Sequence, residues 1–330
     1  MILSYYRSLT GTSHEKKGVG CQDACGTIVL NNGWVVAAIA DGVGSCKYSD
    51  VASQIAVDVS LQVCADAIEE EPDCELLKVI EEAFIQAERE IDRYSLAQDH
   101  PLSEYDTTLS LVIYDGGYVW YGHCGDGGIV GLNKNGDYIK ITTPQKKEGI
   151  YVVPLRAGKE SWIIGDMEEE EFASILLATD GVYDAFFPYL LKNQSIEVYV
   201  PLIRYFMDDN LLNISKKNIK AIEQERVDFL CSDSCTSITD DKTVLVLFSD
   251  TVRSKEKSAD FYAEPDWETL QLEWNKKAYP HLYENKDENE TPDIFADQEQ
   301  EDEQKHAVNN TETQVKESEK KKSKWRFVRG

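Results

Sequence analysis

Basic residues are scarce in this sequence: 34 Lys and Arg stand against 60 Asp and Glu, a formal charge of −26. That balance excludes nucleic acid and anionic membrane as partners for the bulk of the chain, since both demand clustered positive charge. The 8 cysteines (Cys21, Cys25, Cys46, Cys64, Cys74, Cys124, Cys231, Cys235) are scattered, and no two stand in the CxxC spacing of a zinc or redox site. They read as reduced thiols. Between Met1 and Gly20 there is no apolar run flanked by early positive charge, and no apolar stretch reads as long enough to span a bilayer. The expectation is a cytoplasmic monomer. What is present is a hydrophobic fraction of 42% in 330 residues, enough for a substantial core.

Composition changes near residue 250. Before it, short runs rich in β-branched and aromatic residues lie between Gly, Asp or Asn: Trp34 to Ala40, Thr107 to Tyr114, Tyr118 to His123, Ile129 to Asn133, Ser174 to Thr179 and Thr243 to Phe248. They read as strands, with Asp115-Gly116-Gly117 closing a hairpin. Two segments keep a helical period instead: Ser49 to about Glu70, with Ile55, Val59 and Val63 at steps of four, and a second with Leu77, Ile80, Phe84, Ala87 and Ile91 on one face. Strands, then paired helices, then more strands indicate a layered α+β fold rather than a doubly wound sheet. This divides the chain into a main folded unit over 1–250 and an extension over 251–283 that holds one helix near Asp266 to Ala278. The tail over 284–330 has ten acids against Lys286 between Glu284 and Gln304 and is expected to be disordered. It ends with Lys320, Lys321, Lys322, Lys324, Arg326 and Arg329 around Trp325 and Phe327, a pattern suited to docking on an acidic protein surface. No internal repeat is found.

Aspartates recur where the strands run out into turns: Asp23, Asp41 before Gly42, Asp126 between Gly125 and Gly127, Asp180 before Gly181, and Asp240 beside Asp241. Asp-Gly after a strand is by itself only a turn signal. If the strand ends converge at one edge, however, the result is a cluster of hard oxygen ligands suited to Mg²⁺, Mn²⁺ or Ca²⁺. Two such ions would activate a water and neutralise a phosphoryl group.

The ordered series QDA at Gln22 to Ala24, ADGVG at Ala40 to Gly44, DTTLSLVIY at Asp106 to Tyr114, GDGG at Gly125 to Gly128, LLATDGVYD at Leu176 to Asp184 and DDKTVLVLF at Asp240 to Phe248 resembles the metal-dependent protein phosphatase 2C family. The opening Gly11-Thr12-Ser13-His14, followed by Cys21-Gln22-Asp23-Ala24, is similar to a bacterial subgroup of it. The resemblance implies four layers, α/β/β/α, around a central antiparallel β-sandwich with a two-metal site at one end. It implies that Asp23, Asp41, Asp180 and Asp240, with the Gly42 carbonyl, hold two Mn²⁺ or Mg²⁺ ions, and that Asp126 helps hold a third. The implied reaction is hydrolysis of phosphoserine or phosphothreonine on a protein by a metal-bridging hydroxide, with a Ser/Thr kinase as the opposing partner.

The chain departs from that pattern in two places. Position 22 is Gln where much of the family has Glu, and the stretch His14-Glu15-Lys16-Lys17-Gly18 has no Arg to grip phosphate. His14 is the candidate proton donor or phosphate contact, with Lys16 and Lys17 as electrostatic substitutes. Asp241 is an alternative ligand to Asp240, and Cys21 a bystander thiol. The departures motivate a second reading, a catalytically weak phosphatase-like sensor or phosphoprotein-binding module. Truncation after residue 283 is predicted to leave generic phosphatase activity and the thermal midpoint unchanged, because the acidic tail has almost nothing apolar to bury; a large fall in midpoint would show that the tail is part of the folded unit.

Overall fold

The computed structural model describes residues 1–148 and 151–283. The first half of the chain forms β1 (Leu3–Leu9), α1 (Thr12–Lys17), β2 (Ala24–Val29), β3 (Val35–Ala40), α2 (Ser49–Glu70), α3 (Leu76–Ala97), β4 (Leu109–Tyr114), β5 (Val119–Cys124), β6 (Gly128–Asn133), β7 (Tyr138–Lys140), β8 (Lys146–Lys147) and β9 (Tyr151–Val152). The second half continues with β10 (Ile163–Asp166), β11 (Phe172–Ala178), α4 (Asp180–Phe186), α5 (Val200–Met207), α6 (Asp209–Leu212), α7 (Ile219–Leu230), β12 (Lys242–Phe248) and α8 (Trp267–Ala278). Two five-stranded sheets, ordered β1-β12-β11-β6-β7 and β10-β5-β4-β3-β2, are antiparallel throughout.

The apolar run of β3 lacks a polar alternation because both of its faces are covered. Val35, Ala37 and Ile39 point into the sandwich against Ile129, Ile175, Leu177, Leu245 and Leu247. Val36, Ala38 and Ala40 face the opposite way, into the core formed with Ala52, Ala56, Val57 and Leu61 of α2 and Ile80, Ala83 and Phe84 of α3. Alanines on this outer face let the helices approach closely. On the far side of the other sheet, α5 is tied down by hydrogen bonds from Tyr5 Oη to Phe206 O (2.7 Å) and from Ser174 Oγ to Met207 O (2.6 Å), while α7 lies on β1. The four-layer α/β/β/α arrangement expected from the resemblance is what forms.

Local signals behave unevenly. The Asp115 hairpin forms as expected, with Asp115 Oδ1 accepting from Gly117 N (2.8 Å) and Tyr118 N (2.7 Å). The α3 face needs one correction. Ile80, Phe84, Ala87 and Ile91 are buried, but Leu77 is exposed in the helix's first turn, and Val79 and Ala83 complete the buried stripe. α2 also corrects an expectation, since with a mean hydropathy of 1.3 it is long and apolar enough by composition to cross a membrane. Its Ala52, Ala56, Val57, Leu61, Cys64, Ala65 and Ile68 are buried in the protein core, so its apolar character is accounted for by packing on the sheet. The helices between residues 180 and 230 escaped the sequence reading because α4, α5 and α6 are too short to develop a repeating stripe, and α7 runs only three turns.

The first compact unit extends to Glu264, past the compositional shift at residue 250. The connecting segment is fastened to it: Lys255 N donates to Lys134 O (3.0 Å), Ser254 hydrogen-bonds buried Asp209, and the Arg204 guanidinium lies 3.7 Å over the Tyr262 ring. In the second unit, α8 begins as expected beside Asp266, whose carboxylate caps it by accepting from Thr269 N (3.1 Å). The acidic stretch and the basic-aromatic end lie outside the described residues.

Buried His123 sits between β4 and the turn that carries Asp126. Its Nε2 is 3.1 Å from Gly125 O and its Nδ1 2.8 Å from Ser110 Oγ. A carbonyl can only accept, so Nε2 carries the proton and Nδ1 accepts from the serine hydroxyl. Burial lowers its pKa from 6.5 to about 4, keeping the ring neutral. The unfolded chain therefore takes up a proton below pH 6.5 that the folded chain refuses down to about pH 4, and this contribution to stability, full above pH 6.5, is lost as pH falls. Urea unfolding of wild type and His123→Asn is predicted to show their stability difference shifting by about 2 kcal/mol against wild type between pH 7 and pH 5. A difference independent of pH would mean that His123 is not held neutral.

Candidate metal centre

Asp23 stands at the start of β2, Asp41 just after β3, Asp126 in the turn between β5 and β6, and Asp180 at the head of α4 directly after β11. These elements come from both sheets, and the sandwich brings their ends together. Carboxylate oxygens of Asp41, Asp126 and Asp180 lie within 4.8 Å of one another. Asp23 is close enough to Asp41 that each carboxylate bears on the other.

The backbone of Asp41 is pinned by the threonine pair that opens β4. Thr108 Oγ1 accepts from Asp41 N (2.8 Å), while Thr108 N and Thr107 Oγ1 both donate to Asp41 O (2.8 Å each). Gly42, the expected carbonyl ligand, follows in a space that admits no side chain: an added Cβ would stand 2.7 Å from Gln22 O and 2.8 Å from Ser49 O. Asp23 is held from the other sheet, its Oδ2 accepting from Thr179 Oγ1 (2.9 Å) and Thr243 Oγ1 (2.7 Å). Gly125, before Asp126, has φ 134°, a conformation that favours glycine. The sequence reading assigns no role to Thr107, Thr108, Thr179 or Thr243, although each lies inside one of the motifs and Thr179 directly precedes Asp180.

Two buried oxygens, Asp23 Oδ1 and Gln22 Oε1, have no hydrogen-bond partner within the protein. Burial and mutual repulsion push the carboxyls up: Asp23 to about 7, Asp180 to about 6, and Asp41 well above the ordinary carboxylate range. For Asp41 the causes after burial are the charges of Asp23 and Asp180. Unpaired buried oxygens beside carboxylates that resist ionising together fit hard divalent cations, which would satisfy the oxygens and cancel the repulsion.

The adjacent aspartates after α7 have separate tasks. Asp241 is buried and fastens the N-terminal segment: its Oδ1 accepts from Gly11 N (2.6 Å) and lies 2.9 Å from His14 Nδ1, and its Oδ2 accepts from Gln22 N (2.6 Å). Asp240 is exposed, and its charge acts on Asp180. His14 is thus buried against Asp241, forming a second cluster with Asp240 and Asp241. Lys16 and Lys17 are exposed on the last turn of α1. Among the described residues, a cation that the sequence reading misses, Lys146, is paired with the cluster, its Nζ 3.7 Å from Asp126 Oδ2. Burial and the Asp23 charge raise the Cys21 thiol far above the ordinary range, which fits a bystander.

The sequence profile of protein phosphatase 2C matches residues 10–218, more than half of the chain. No curated protein matches it. Among solved structures, the Mycobacterium tuberculosis serine/threonine phosphatase PstP/Ppp is 18% identical with a TM-score of 0.53, covering 75% of this chain and 98% of that one. A PstP catalytic domain in complex with 2 manganese ions is 17% identical at TM-score 0.53, with 75% and 97% covered. Stp1 from Staphylococcus aureus is 15% identical at TM-score 0.51, with 76% and 96% covered. These likenesses carry the fold, and the profile match together with the ordered motifs carries the family. The chain belongs to the protein phosphatase 2C family and is a serine/threonine protein phosphatase.

Proposed function

We propose that this chain hydrolyses phosphoserine or phosphothreonine on proteins at a binuclear centre held by Asp23, Asp41, Asp180 and Asp240 with the Gly42 carbonyl. The observation that carries the reading is the convergence of carboxylates from separate strand ends around buried oxygens without partners. Mn²⁺ or Mg²⁺ held there would act as a Lewis acid on the phosphoryl oxygens and lower the pKa of the attacking water, so that no covalent enzyme intermediate is needed. Asp41 stands with Asp126 and Asp180 in one carboxylate group and feels the charge of Asp23, so it would be among the residues that hold the metal. Thr107 and Thr108 keep its backbone from moving, so the carboxylate meets its ligand preorganised. Asp241 holds Gln22 and the His14 segment over the same end of the sandwich, making His14 a support of that wall. The intact carboxylate set counts against a sensor that has given up turnover.

Replacing Asp41 by Asn removes charge but little volume. Asp41→Asn is predicted to cut turnover of a phosphopeptide by more than about 100-fold, the upper end of what losing a mere support of a metal ligand costs. Its thermal midpoint in chelator at pH 8 should exceed that of wild type, because a repelling charge is gone. Full wild-type activity in excess chelator would sink the metal reading.

Ligand carboxylates must be ionised to hold a metal. With Asp23 raised to about 7 and Asp180 to about 6, both are partly protonated at pH 6 and ionised by pH 8. Mn²⁺ binding is therefore predicted to release more protons at pH 6 than at pH 8, with weaker affinity at the lower pH and Asp41 adding to the release at both values. Calorimetry in buffers of different ionisation enthalpy measures this directly, and equal proton release at both values would refute it.

A further inference from the structure

Lys146 stands where a cation is needed and is held there by its neighbour. Gln145 commits nearly all its polar groups to anchoring. Its N donates to Gly125 O (2.7 Å), its Oε1 accepts from Gly125 N (3.0 Å), its Nε2 donates to Ser161 O (2.7 Å), and its own carbonyl accepts from Val153 N (3.2 Å). Gly125 immediately precedes Asp126, so the segment entering β8 is fastened to the turn that carries that carboxylate. Lys146, the next residue, pairs with Val152 in the β8–β9 hairpin and reaches back to Asp126, which is almost fully buried while the lysine is about one-third exposed. The same ammonium charge bears on Asp180 and on Asp184, one turn further along α4. It therefore stands ion-paired with Asp126, one member of the Asp41–Asp126–Asp180 group.

We propose that Lys146 is a tethered cation that competes with a metal ion for the Asp126 carboxylate, so that an outer site that includes Asp126 binds metal only when the lysine swings out. The inference rests on the metal-centre reading above. An ammonium and a divalent ion cannot both lie against the same carboxylate oxygens, because their charges repel and the oxygens are few. A tethered group competes at a high effective concentration without needing to bind strongly. The apparent metal affinity of the outer site is then reduced by the fraction of molecules in which the lysine is withdrawn. Lys146 is in this sense a positioning residue: it sets the charge at the outer end without touching the attacking atoms.

The test is Mn²⁺ titration of the full chain, followed by calorimetry and by electron paramagnetic resonance of free Mn²⁺, for wild type, Lys146→Met, Lys146→Arg and the double variant Lys146→Met/Asp126→Asn. Removing the competitor should tighten the weakest Mn²⁺ site by roughly tenfold or more, as expected if the lysine leaves the site in about a tenth of molecules. The tighter inner sites should be unchanged, Lys146→Arg should stay close to wild type, and the double variant should lose the tightened site. Indistinguishable isotherms for wild type and Lys146→Met overturn the proposal and leave the metal centre standing. Failure of every chain to bind Mn²⁺ is a different result, which overturns the metal-centre reading and this inference with it.

Discussion

Repulsion among buried like charges is the constraint around which one end of this molecule is built. Asp41, Asp126 and Asp180 are brought within a few ångströms of one another, with Asp23 close enough for its charge to bear on Asp41, in a setting that raises each carboxyl above its ordinary range. Such an arrangement persists only if the backbone carrying the charges cannot relax apart. The strands meet that demand, because each aspartate sits at or next to the end of an element whose other residues are locked in the sandwich. Threonine hydroxyls supply the remaining restraint. Thr179 and Thr243 hold Asp23 across the two sheets, and Thr107 and Thr108 hold Asp41 within one.

The same end of the sandwich shows how one acidic dipeptide divides its work. Asp241 turns inward and gathers Gly11, His14 and Gln22, closing the N-terminal segment over the site. Asp240 remains exposed beside Asp180. On the opposite flank, Gln145 and Lys146 bring the β8–β9 hairpin to the Asp126 turn, and Arg156 anchors the chain just beyond that hairpin through Asp106 (2.6 Å). Two peripheral segments thus border the acidic cluster, and each is fixed by polar contacts rather than by a large apolar face. Positive charge enters from the hairpin side, through Lys146 against Asp126.

Much of this could be read along the chain, and the parts that could not share a cause. β3 and β12 announce themselves because strands covered on both faces need unbroken apolar runs, and α3 because one face meets the core for six turns. The motif aspartates were visible as repeated turn signals in a recognisable order. Short helices left no such trace, and Leu77 misled because its place in the helical period says nothing about whether the first turn is covered. The supporting threonines were in plain sight, yet a hydroxyl beside a carboxylate in sequence does not reveal which carboxylate it will reach.

Composition and pattern by themselves determined the α+β class, the hard-oxygen character of the site, the exclusion of a CxxC zinc site, and the family resemblance. Each of these depends on residue type and local spacing, which the chain carries in one dimension. Only the tertiary structure decided that Asp241 ties down His14 while Asp240 stays exposed, that Asp23 Oδ1 and Gln22 Oε1 are left without protein partners, and that Lys146 is the cation against Asp126. Those outcomes rest on contacts between residues as far apart as 227 positions, such as His14 and Asp241. They turn on the direction each side chain takes as its strand ends, which is set by sheet register and packing rather than by neighbours in sequence.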